Sequence, residues 1–215
     1  MSLPARGFPL VIAAPSGAGK TSLAHALVER AERVTFSVSA TTRPRRPHET
    51  EGADYHFVED AEFERMIEAG ELVEWAEVHG RRYGTPGAAI DAAVAEGGVV
   101  VLDIDVQGAR QIRRRFADAV LVFVLPPSAA ELGRRLSGRG SEARAERRRR
   151  LANARAELPS ALEFDYVVVN DDFEAGVAAL LAIVAAESRR ASRSDGLATF
   201  LAQLDHELDH VLEES

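Results

Sequence analysis

Residues 14–21 have the sequence Ala-Pro-Ser-Gly-Ala-Gly-Lys-Thr, and they stand between an apolar run typical of a strand and a segment with helical spacing. Glycines at the start of a helix allow backbone N–H groups to surround a phosphate. Lys20 has the reach and charge to bind the outer phosphates of a nucleotide, and the Thr21 hydroxyl is a ligand for Mg²⁺. The stretch therefore predicts a P-loop, although Ala14 stands where the strict pattern has glycine.

The composition is that of a globular protein with an acidic balance. The chain has 215 residues, of which 46% are hydrophobic and 28% charged. Its 26 basic and 34 acidic residues give a net charge of −8, which argues against binding to nucleic acid or to an anionic membrane. Cysteine is absent, which excludes disulfide scaffolds and thiol nucleophiles and fits a cytoplasmic location. Lys20 is the single lysine, and every other basic residue counted here is arginine. This position therefore indicates a need for the compact charge of an ammonium group, which a guanidinium does not provide.

Strand patterns alternate with helical patterns along most of the chain. Apolar strand-like runs occupy residues 8–14, 99–105, 119–125 and 166–169, and residues 34–39 alternate between apolar and polar as in a short strand. The alternation predicts an α/β fold in which helices cover both faces of a parallel sheet, with the functional groups at the carboxyl ends of its strands. Between residues 55 and 79, two short strand patterns flank a helix, which predicts a small inserted α+β lobe.

A second group of polar motifs follows the predicted P-loop. Residues 37–49 have the sequence Ser-Val-Ser-Ala-Thr-Thr-Arg-Pro-Arg-Arg-Pro-His-Glu. This density of hydroxyls and guanidiniums suits bidentate binding of a second phosphate, and a solvated basic loop is the alternative. The segments DYHFV at 54–58 and EWAEVHGRRYGT at 74–85 come next.

These three motifs, together with the P-loop, resemble the guanylate kinase family over residues 8–187, nearly the whole chain. The resemblance implies a P-loop NTPase-type core with a five-stranded parallel sheet, an inserted GMP-binding lobe and a helical lid. It places the core at 1–37 and 86–187, with the lid at about 138–152. The GMP-binding lobe would be 38–85, and 188–215 would form a C-terminal helical extension.

The resemblance implies which residues bind GMP. Those at the GMP phosphate would be Ser39, Arg43, Arg46, Tyr55 and Tyr83. Glu74 and Thr85 would bind the guanine, with Thr85 standing where many family members have serine. The chemistry of the base agrees independently, because guanine offers N1–H and N2–H₂ as adjacent donors that one carboxylate accepts together.

Two acids end the third strand of the predicted sheet. Asp103 and Asp105 are two residues apart and therefore face the same way on a strand. The resemblance assigns both to the GMP site, at the junction of the two nucleotide sites, without separating their roles. The alternative is a pair of residues that cap the following helix.

The ATP site follows from the P-loop and the resemblance. Its implied residues are Ala14, Pro15, Ser16, Gly17, Ala18, Gly19, Lys20, Thr21, Ser22, Asn170 and Asp171. For Asn170 and Asp171, an ordinary polar turn after a strand is the alternative. The family's lid supplies two arginines that close on the transferred phosphoryl group, and their motif positions fall on Arg139 and Arg150. The neighbouring 147–149 would face solvent or carboxylates.

The implied activity is phosphoryl transfer from MgATP to GMP, and also to dGMP. Lys20, Arg46, Arg139 and Arg150 would be the catalytic residues, and Thr21 would help to hold Mg²⁺. Two alternatives remain at this point. One is a nucleoside monophosphate kinase with another base specificity, and the other is a catalytically silent guanylate-kinase-like module that binds proteins.

The C-terminal segment has a leucine stripe at 197, 201, 204 and 208 that continues to Val211, with steps of four and three residues. We expect this helix to pack on the body of the chain or to form a homodimer. It also contains His206-Glu-Leu-Asp-His210, which matches the zinc-protease pattern H-E-x-x-H. Both histidines lie opposite the stripe with no third ligand in view, so the sequence argues against a catalytic metal.

Overall fold

A five-stranded parallel sheet forms the centre of the molecule. The computed structural model describes residues 4–47, 49–78, 80–137 and 141–213, without the side chains of 141–143. The strands of this sheet are β1 (Phe8–Ala13), β2 (Val34–Phe36), β7 (Val99–Asp103), β8 (Val120–Leu125) and β9 (Tyr166–Val169). They lie in the order β2-β7-β1-β8-β9, and every neighbouring pair is parallel. The α/β fold and the five-stranded parallel core predicted from the sequence are confirmed.

Helices cover both faces of this sheet. They are α1 (Lys20–Arg30), α3 (Gly87–Ala95), α4 (Val106–Arg115) and α7 (Phe173–Glu187). Successive residues of a strand point to opposite faces, so Leu10 packs in a cluster with α1 and α7 while Val11 packs in a cluster with α3 and α4. Because β1 is buried along its whole length, its near-continuous apolar sequence is what a central parallel strand requires.

A second, smaller sheet lies between α1 and α3 in the chain. Its strands, in the order β4-β3-β6-β5, are β4 (His56–Phe57), β3 (Ala40–Thr41), β6 (Arg81–Pro86) and β5 (Leu72–Val78). The helix α2 (Asp60–Glu68) packs Phe63 and Met66 against Ala40. The sequence did not predict β6, because two arginines, a glycine and a proline make it a weak strand pattern. The glycine is required by packing, since a Cβ at Gly84 would lie 2.8 Å from a methyl group of Leu72.

Two further helices flank the carboxyl ends of the central strands. They are α5 (Ala129–Arg135) and α6 (Ser141–Glu157), and a short 3-10 helix (Leu158–Glu163) follows. The two helices share a small apolar cluster made of Leu132, Leu136, Leu151 and Ala154. The segment predicted to be a helical lid therefore includes the first part of α6.

A buried polar cluster fastens the segment after α7 to the amino end of β1. Arg193 is 2% exposed, donates to the backbone carbonyl of Asp118 at 2.7 Å and to Glu187 Oε2 at 3.1 Å, and lies over the ring of Phe8. The Tyr166 hydroxyl donates to the other oxygen of Glu187 at 2.6 Å. The pKa of Tyr166 is raised by this bond, because the carboxylate accepts the phenolic proton.

The last helix, α8 (Leu197–Glu213), has no buried residue. Leu197 is partly buried, but from Leu201 onward the apolar stripe is exposed, with Leu201 at 55%, Leu208 at 58% and Val211 at 58%. The sequence predicted that this helix would pack on the body of the chain or form a homodimer. Among the described residues, 201–213 do not pack on the body of the chain. Within all the residues that the structure describes, no helix is both long and apolar enough to cross a membrane.

Replacing Arg193 by alanine should lower the free energy of unfolding by about 3–5 kcal/mol, because the buried Glu187 carboxylate loses its buried cation. Urea denaturation followed by circular dichroism measures the change.

Arg190→Ala is the matched control. Arg190 also contacts Glu187, at 3.3 Å, but its side chain is 58% exposed. We expect this variant to lose less than about 1 kcal/mol. Equal losses in the two variants would contradict the assignment of stability to the buried pair.

Candidate active site

The P-loop predicted at residues 14–21 is formed where β1 ends and α1 begins. Gly17 and Gly19 have φ values of 89° and 93°, a region that residues with a side chain rarely adopt. A Cβ at Gly17 would lie 2.7 Å from a methyl group of Leu136, so the loop also needs glycine for space. The backbone is thus wound at the amino end of α1, where N–H groups and the helix dipole favour an anion.

Two side chains from distant parts of the chain brace this loop. Asn170, at the end of β9, donates from Nδ2 to the Ala18 carbonyl at 2.8 Å. Arg135, in α5, donates to the same carbonyl at 3.2 Å and to the Asn170 carbonyl at 3.1 Å. A Cβ at Gly19 would lie 2.3 Å from Asn170 Nδ2, so the bracing and the glycine depend on each other.

The sequence had placed Asn170 and Asp171 at the ATP site. Asn170 is buried against the P-loop, whereas Asp171 is exposed. The next residue, Asp172, accepts from the Ala175 amide at 2.8 Å and caps α7. Arg135 was missed, because nothing local in the sequence distinguishes it from the other arginines of the chain.

Lys20 and Thr21 both contact the carboxylate of Asp103. The ammonium group of Lys20 pairs with Oδ1, and the Thr21 hydroxyl donates to Oδ2 at 2.5 Å. Burial lowers the pKa of Lys20 to about 8, an effect opposed by the carboxylates of Asp105 and Glu157. The ammonium group therefore remains charged at neutral pH.

Asp105 lies two residues beyond Asp103 and has a different environment. Its Oδ1 accepts from the Gly108 amide at 2.8 Å, which makes Asp105 the N-cap of α4. The capping alternative is thus correct for Asp105 but not for Asp103, which contacts the P-loop residues instead. Asp105 also lines the cleft next to Lys20, so capping does not remove it from the site.

The candidate guanine-binding residues form a buried pair on the second sheet. Glu74 on β5 is 5% exposed, and Thr85 on β6 is fully buried and donates its hydroxyl proton to Glu74 Oε1. Burial raises the pKa of Glu74 to about 7; the bond from Thr85 opposes this rise, and the charge of Asp105 adds to it. A Cβ at Gly108 would lie 2.7 Å from Glu74 Oε2, so the backbone of α4 packs directly against the carboxylate.

The loop predicted to hold a second phosphate is organised by a glutamate. Arg43 donates to both oxygens of Glu49, at 3.0 and 2.7 Å, and the Arg46 amide donates to Oε2 at 2.8 Å. The bonds from Arg43 lower the pKa of Glu49 to about 2. The Arg46 side chain is 61% exposed and reaches Glu49 only at 3.9 Å. Glu49 was missed as a functional residue, although it lies six residues after Arg43 in the same loop.

The remaining candidate acceptor residues gather beside Arg43. Its guanidinium carbon lies 5.4 Å from the centroid of the Tyr55 ring, and that ring meets Tyr83 edge-on at 6.0 Å. Burial raises the pKa of the Tyr55 hydroxyl, so the phenol stays neutral and can donate a hydrogen bond. Ser39 lines the same cavity as these two tyrosines.

The helix α6 contributes an arginine to the P-loop. Arg150, in α6, donates to the Ser16 hydroxyl at 3.2 and 2.6 Å. Arg139, the other arginine assigned to the lid, lies outside the described residues. Arg149 pairs with Glu146 at 2.7 Å, as expected for a residue that faces carboxylates. Arg147 differs from that expectation, since its Nε is buried and its guanidinium packs closely against Gly133 of α5.

Two cavities bring the candidate residues together. One, of about 170 Å³, is lined by Ser39, Tyr55, Glu74, Ala76, Val78, Tyr83, Ile104, Lys20, Asp103 and Asp105. The other, of about 540 Å³, is lined by residues 14–17 and 19–22 of the P-loop and by Val78, Asp105, Arg150, Asn153 and Glu157. Lys20, Val78 and Asp105 belong to both cavities. The site therefore has two compartments that meet at the single lysine.

Comparison with known proteins agrees with this geometry. A family model described as guanylate kinase matches residues 6–187. The guanylate kinase of Rhizobium etli is 48% identical over 200 residues, covering 93% of this chain and 91% of that protein. That of Myxococcus xanthus is 50% identical over 190 residues, with coverage of 88% and 91%. A crystal structure of guanylate kinase from Anaplasma phagocytophilum superposes with a TM-score of 0.79 at 36% identity, covering 93% of this chain and 95% of that chain. With a P-loop, a buried carboxylate in the adjoining cavity and these relatives, the chain belongs to the guanylate kinase family.

Proposed function

We propose that the chain transfers the γ-phosphoryl group of ATP to GMP, forming ADP and GDP. The observation that carries this proposal is the position of Glu74, a buried carboxylate in a cavity that meets the P-loop cavity at Lys20. A carboxylate complements the adjacent N1–H and N2–H₂ donors of guanine, and adenine has no such pair. dGMP should also be an acceptor, because Glu74 is proposed to bind the base rather than the sugar.

The transfer needs positive charge in place more than it needs a nucleophilic side chain. A phosphate oxygen of GMP forms the new bond to the γ-phosphorus while the bond from that phosphorus to the bridging oxygen of ADP breaks. The transition state is loose and anionic, so cations positioned around it lower the barrier. Lys20 lies where the two cavities meet. Arg46, Arg139 and Arg150 are proposed to supply the remaining charge from the acceptor loop and the lid.

The acceptor phosphate is proposed to bind among Ser39, Arg43, Arg46, Tyr55 and Tyr83. Because Glu49 already accepts two bonds from Arg43, that guanidinium is held in one orientation and much of its charge is neutralised. The exposed guanidinium of Arg46 is free to move onto the phosphate. Arg43 is thus proposed to position the phosphate and Arg46 to neutralise it.

Mg²⁺ fits the oxygen groups at the start of α1. The Thr21 hydroxyl and the Asp103 carboxylate are hard oxygen ligands of the kind that Mg²⁺ prefers, and they lie within 2.5 Å of each other. We propose that Thr21 holds the ion together with ATP phosphates and water. A bound Mg²⁺ would neutralise charge on the β- and γ-phosphates.

The same proposal divides the chain into an ATP-binding core and a GMP-binding lobe. Residues 1–37 and 86–187 form the core that binds ATP, with the lid at about 138–152, and 38–85 bind GMP. The separate four-stranded sheet, whose strands run from Ala40 to Pro86, supports this division. The absence of cysteine fits a reducing compartment, and we propose that the reaction takes place in the cytoplasm.

The test is coupled ADP formation with MgATP and a panel of GMP, dGMP, AMP, UMP and dTMP. Turnover with GMP and dGMP alone is expected. Turnover with another base would keep the kinase and overturn the assignment of Glu74. No turnover with any acceptor would favour a binding module.

Lys20→Ala should reduce kcat by about 100- to 1,000-fold, because it removes a cation that stabilises the transferred group. Arg148→Ala is the matched control, since it removes a positive charge from the exposed face of α6 and should leave kcat unchanged. Circular dichroism of both variants separates loss of turnover from loss of the fold. Near-normal turnover in Lys20→Ala would contradict the P-loop assignment.

Binding of GMP should become weaker as the pH falls below about 7. Without nucleotide, burial raises the pKa of Glu74 to about 7, so the protonated form stabilises the folded chain at low pH and this contribution is lost as the pH rises through 7. Guanine donates to the charged form, so binding below pH 7 must release a proton. Affinity for GMP should therefore rise up to tenfold per pH unit up to about pH 7 and then level off.

Glu74→Gln is the control for this pH dependence. The glutamine keeps an oxygen that accepts from Thr85 but carries no charge, so affinity for GMP should fall about 10- to 100-fold at pH 8. The GMP phosphate itself titrates near pH 6, and this contribution is the same in both proteins. Calorimetric titration of both proteins from pH 5.5 to 8.5 isolates the contribution of Glu74. Identical pH profiles would show that Glu74 does not titrate with binding.

We further propose that the exposed stripe of α8 forms a homodimer. Its apolar residues keep the steps of four and three that bring two helices together in a coiled coil, and Leu201 and Leu208 are more than half exposed in the single chain. A helix of 17 residues is marginal without a partner. The flanking Asp205 and Glu207 would repel their counterparts, so the dimer should be favoured by salt.

Sedimentation velocity should therefore show more dimer at about 0.5 M than at about 0.05 M ionic strength, because screening removes this repulsion. Leu201→Asp/Leu208→Asp should be monomeric at both. Thr199→Asp/Gln203→Asp adds the same charge to the opposite side of the helix and should still dimerise. A monomer under all conditions for the unaltered chain would contradict the proposal.

A further inference from the structure

Two histidines on the outer side of α8 are left without a role by the proposed kinase. His206 and His210 are exposed and lie one helical turn apart, on the side opposite the apolar stripe. Their Nε2 atoms are 3.3 Å apart, and their ring centroids 4.6 Å apart. Covering the stripe with another copy would leave this side open, so the two surfaces are independent.

The separation of the two nitrogens matches that of a chelating pair. Zinc binds imidazole nitrogen at about 2.0–2.1 Å in a tetrahedral arrangement, which places two ligand nitrogens roughly 3.3–3.4 Å apart. The rings are inclined at 73° to each other, so they are not stacked face to face. A direct hydrogen bond between the rings is the other arrangement that this distance allows, with one ring as donor.

The surroundings of the pair attract cations. Residues 197–213 contain four acids, Asp205, Glu207, Asp209 and Glu213, and no lysine or arginine. This charge raises the local concentration of divalent ions near the imidazoles. Glu207 is held by Gln203, which donates to its Oε1 at 2.7 Å, so it is not poised as the general base of a zinc protease.

We propose that His206 and His210 bind one divalent transition-metal ion of the class that prefers imidazole, such as Ni²⁺ or Zn²⁺. The protein supplies two nitrogen ligands, and water completes the coordination. Among the described residues no group of three or more His, Cys, Asp or Glu side chains could hold a metal ion. The site is therefore an open, exchangeable surface site that ties one turn of α8 together, and it does not catalyse hydrolysis.

The experiment is calorimetric titration of the untagged full chain with NiCl₂ and with ZnCl₂, in a buffer that contains MgCl₂ to fill oxygen-rich sites. One ion per chain is expected. His206→Ala and His210→Ala should each weaken binding at least about tenfold, because a chelate becomes a single ligand. Kinase turnover with MgATP should be unchanged in both variants.

Two control variants test the geometry. Asp205→His/His206→Asp keeps the composition but moves one imidazole about 100° around the helix, so it should bind as weakly as the single variants. His56→Ala removes an exposed histidine that lies 3.4 Å from Glu51 and should bind normally. Absence of binding by the unaltered chain, or full binding by the exchanged variant or by either single alanine variant, would overturn the proposal.

Discussion

The parallel pairing of β1 with β7 is the constraint on which the site depends. The register places Ile12 beside Asp103, so the strand that leads into the P-loop and the strand that ends in the acid finish at the same level. Lys20 and Thr21, which begin the helix after the loop, therefore meet the Asp103 carboxylate directly. A shift of one residue in this register would turn Asp103 toward the opposite face of the sheet. The metal ligands and the cationic centre proposed here all depend on that alignment.

Features of this molecule that depend on neighbouring residues in the chain could be predicted from the sequence, and features that depend on distant residues could not. The strands of the core could be predicted, because four are largely apolar runs and β2 lies in a segment of alternating apolar and polar residues, and β9 was predicted with its observed bounds. The P-loop could be predicted because its glycines, Lys20 and Thr21 are adjacent in the chain. β6 was not predicted, since its residues are strand-forming only when β3 and β5 pair on either side of it.

Two features of the site could not be predicted from the sequence. One is a residue whose partner is distant in the chain, and the other is the different roles of two acids that depend on where a strand ends and a helix begins. Arg135 braces a carbonyl 117 residues earlier in the chain, a relation that no local pattern contains. Asp103 and Asp105 look equivalent in sequence, but β7 ends at Asp103 and α4 begins just after Asp105. The second acid therefore becomes a helix cap while the first reaches the P-loop. Such a distinction requires the element boundaries, which are the least predictable feature of a sequence.

The cluster around Arg193 has a consequence for how the molecule can be attached to its surroundings. The segment that it holds joins the amino end of β1, where Asp195 donates to the Pro4 carbonyl and Ala5 bridges to Ser194. β1 is six residues long, so the start of α8 and the mouth of the P-loop are separated by roughly 20 Å of buried strand. The last helix thus begins at the pole of the molecule remote from the nucleotides. A support or fused protein joined where α8 begins would therefore be attached at the end of β1 opposite the P-loop.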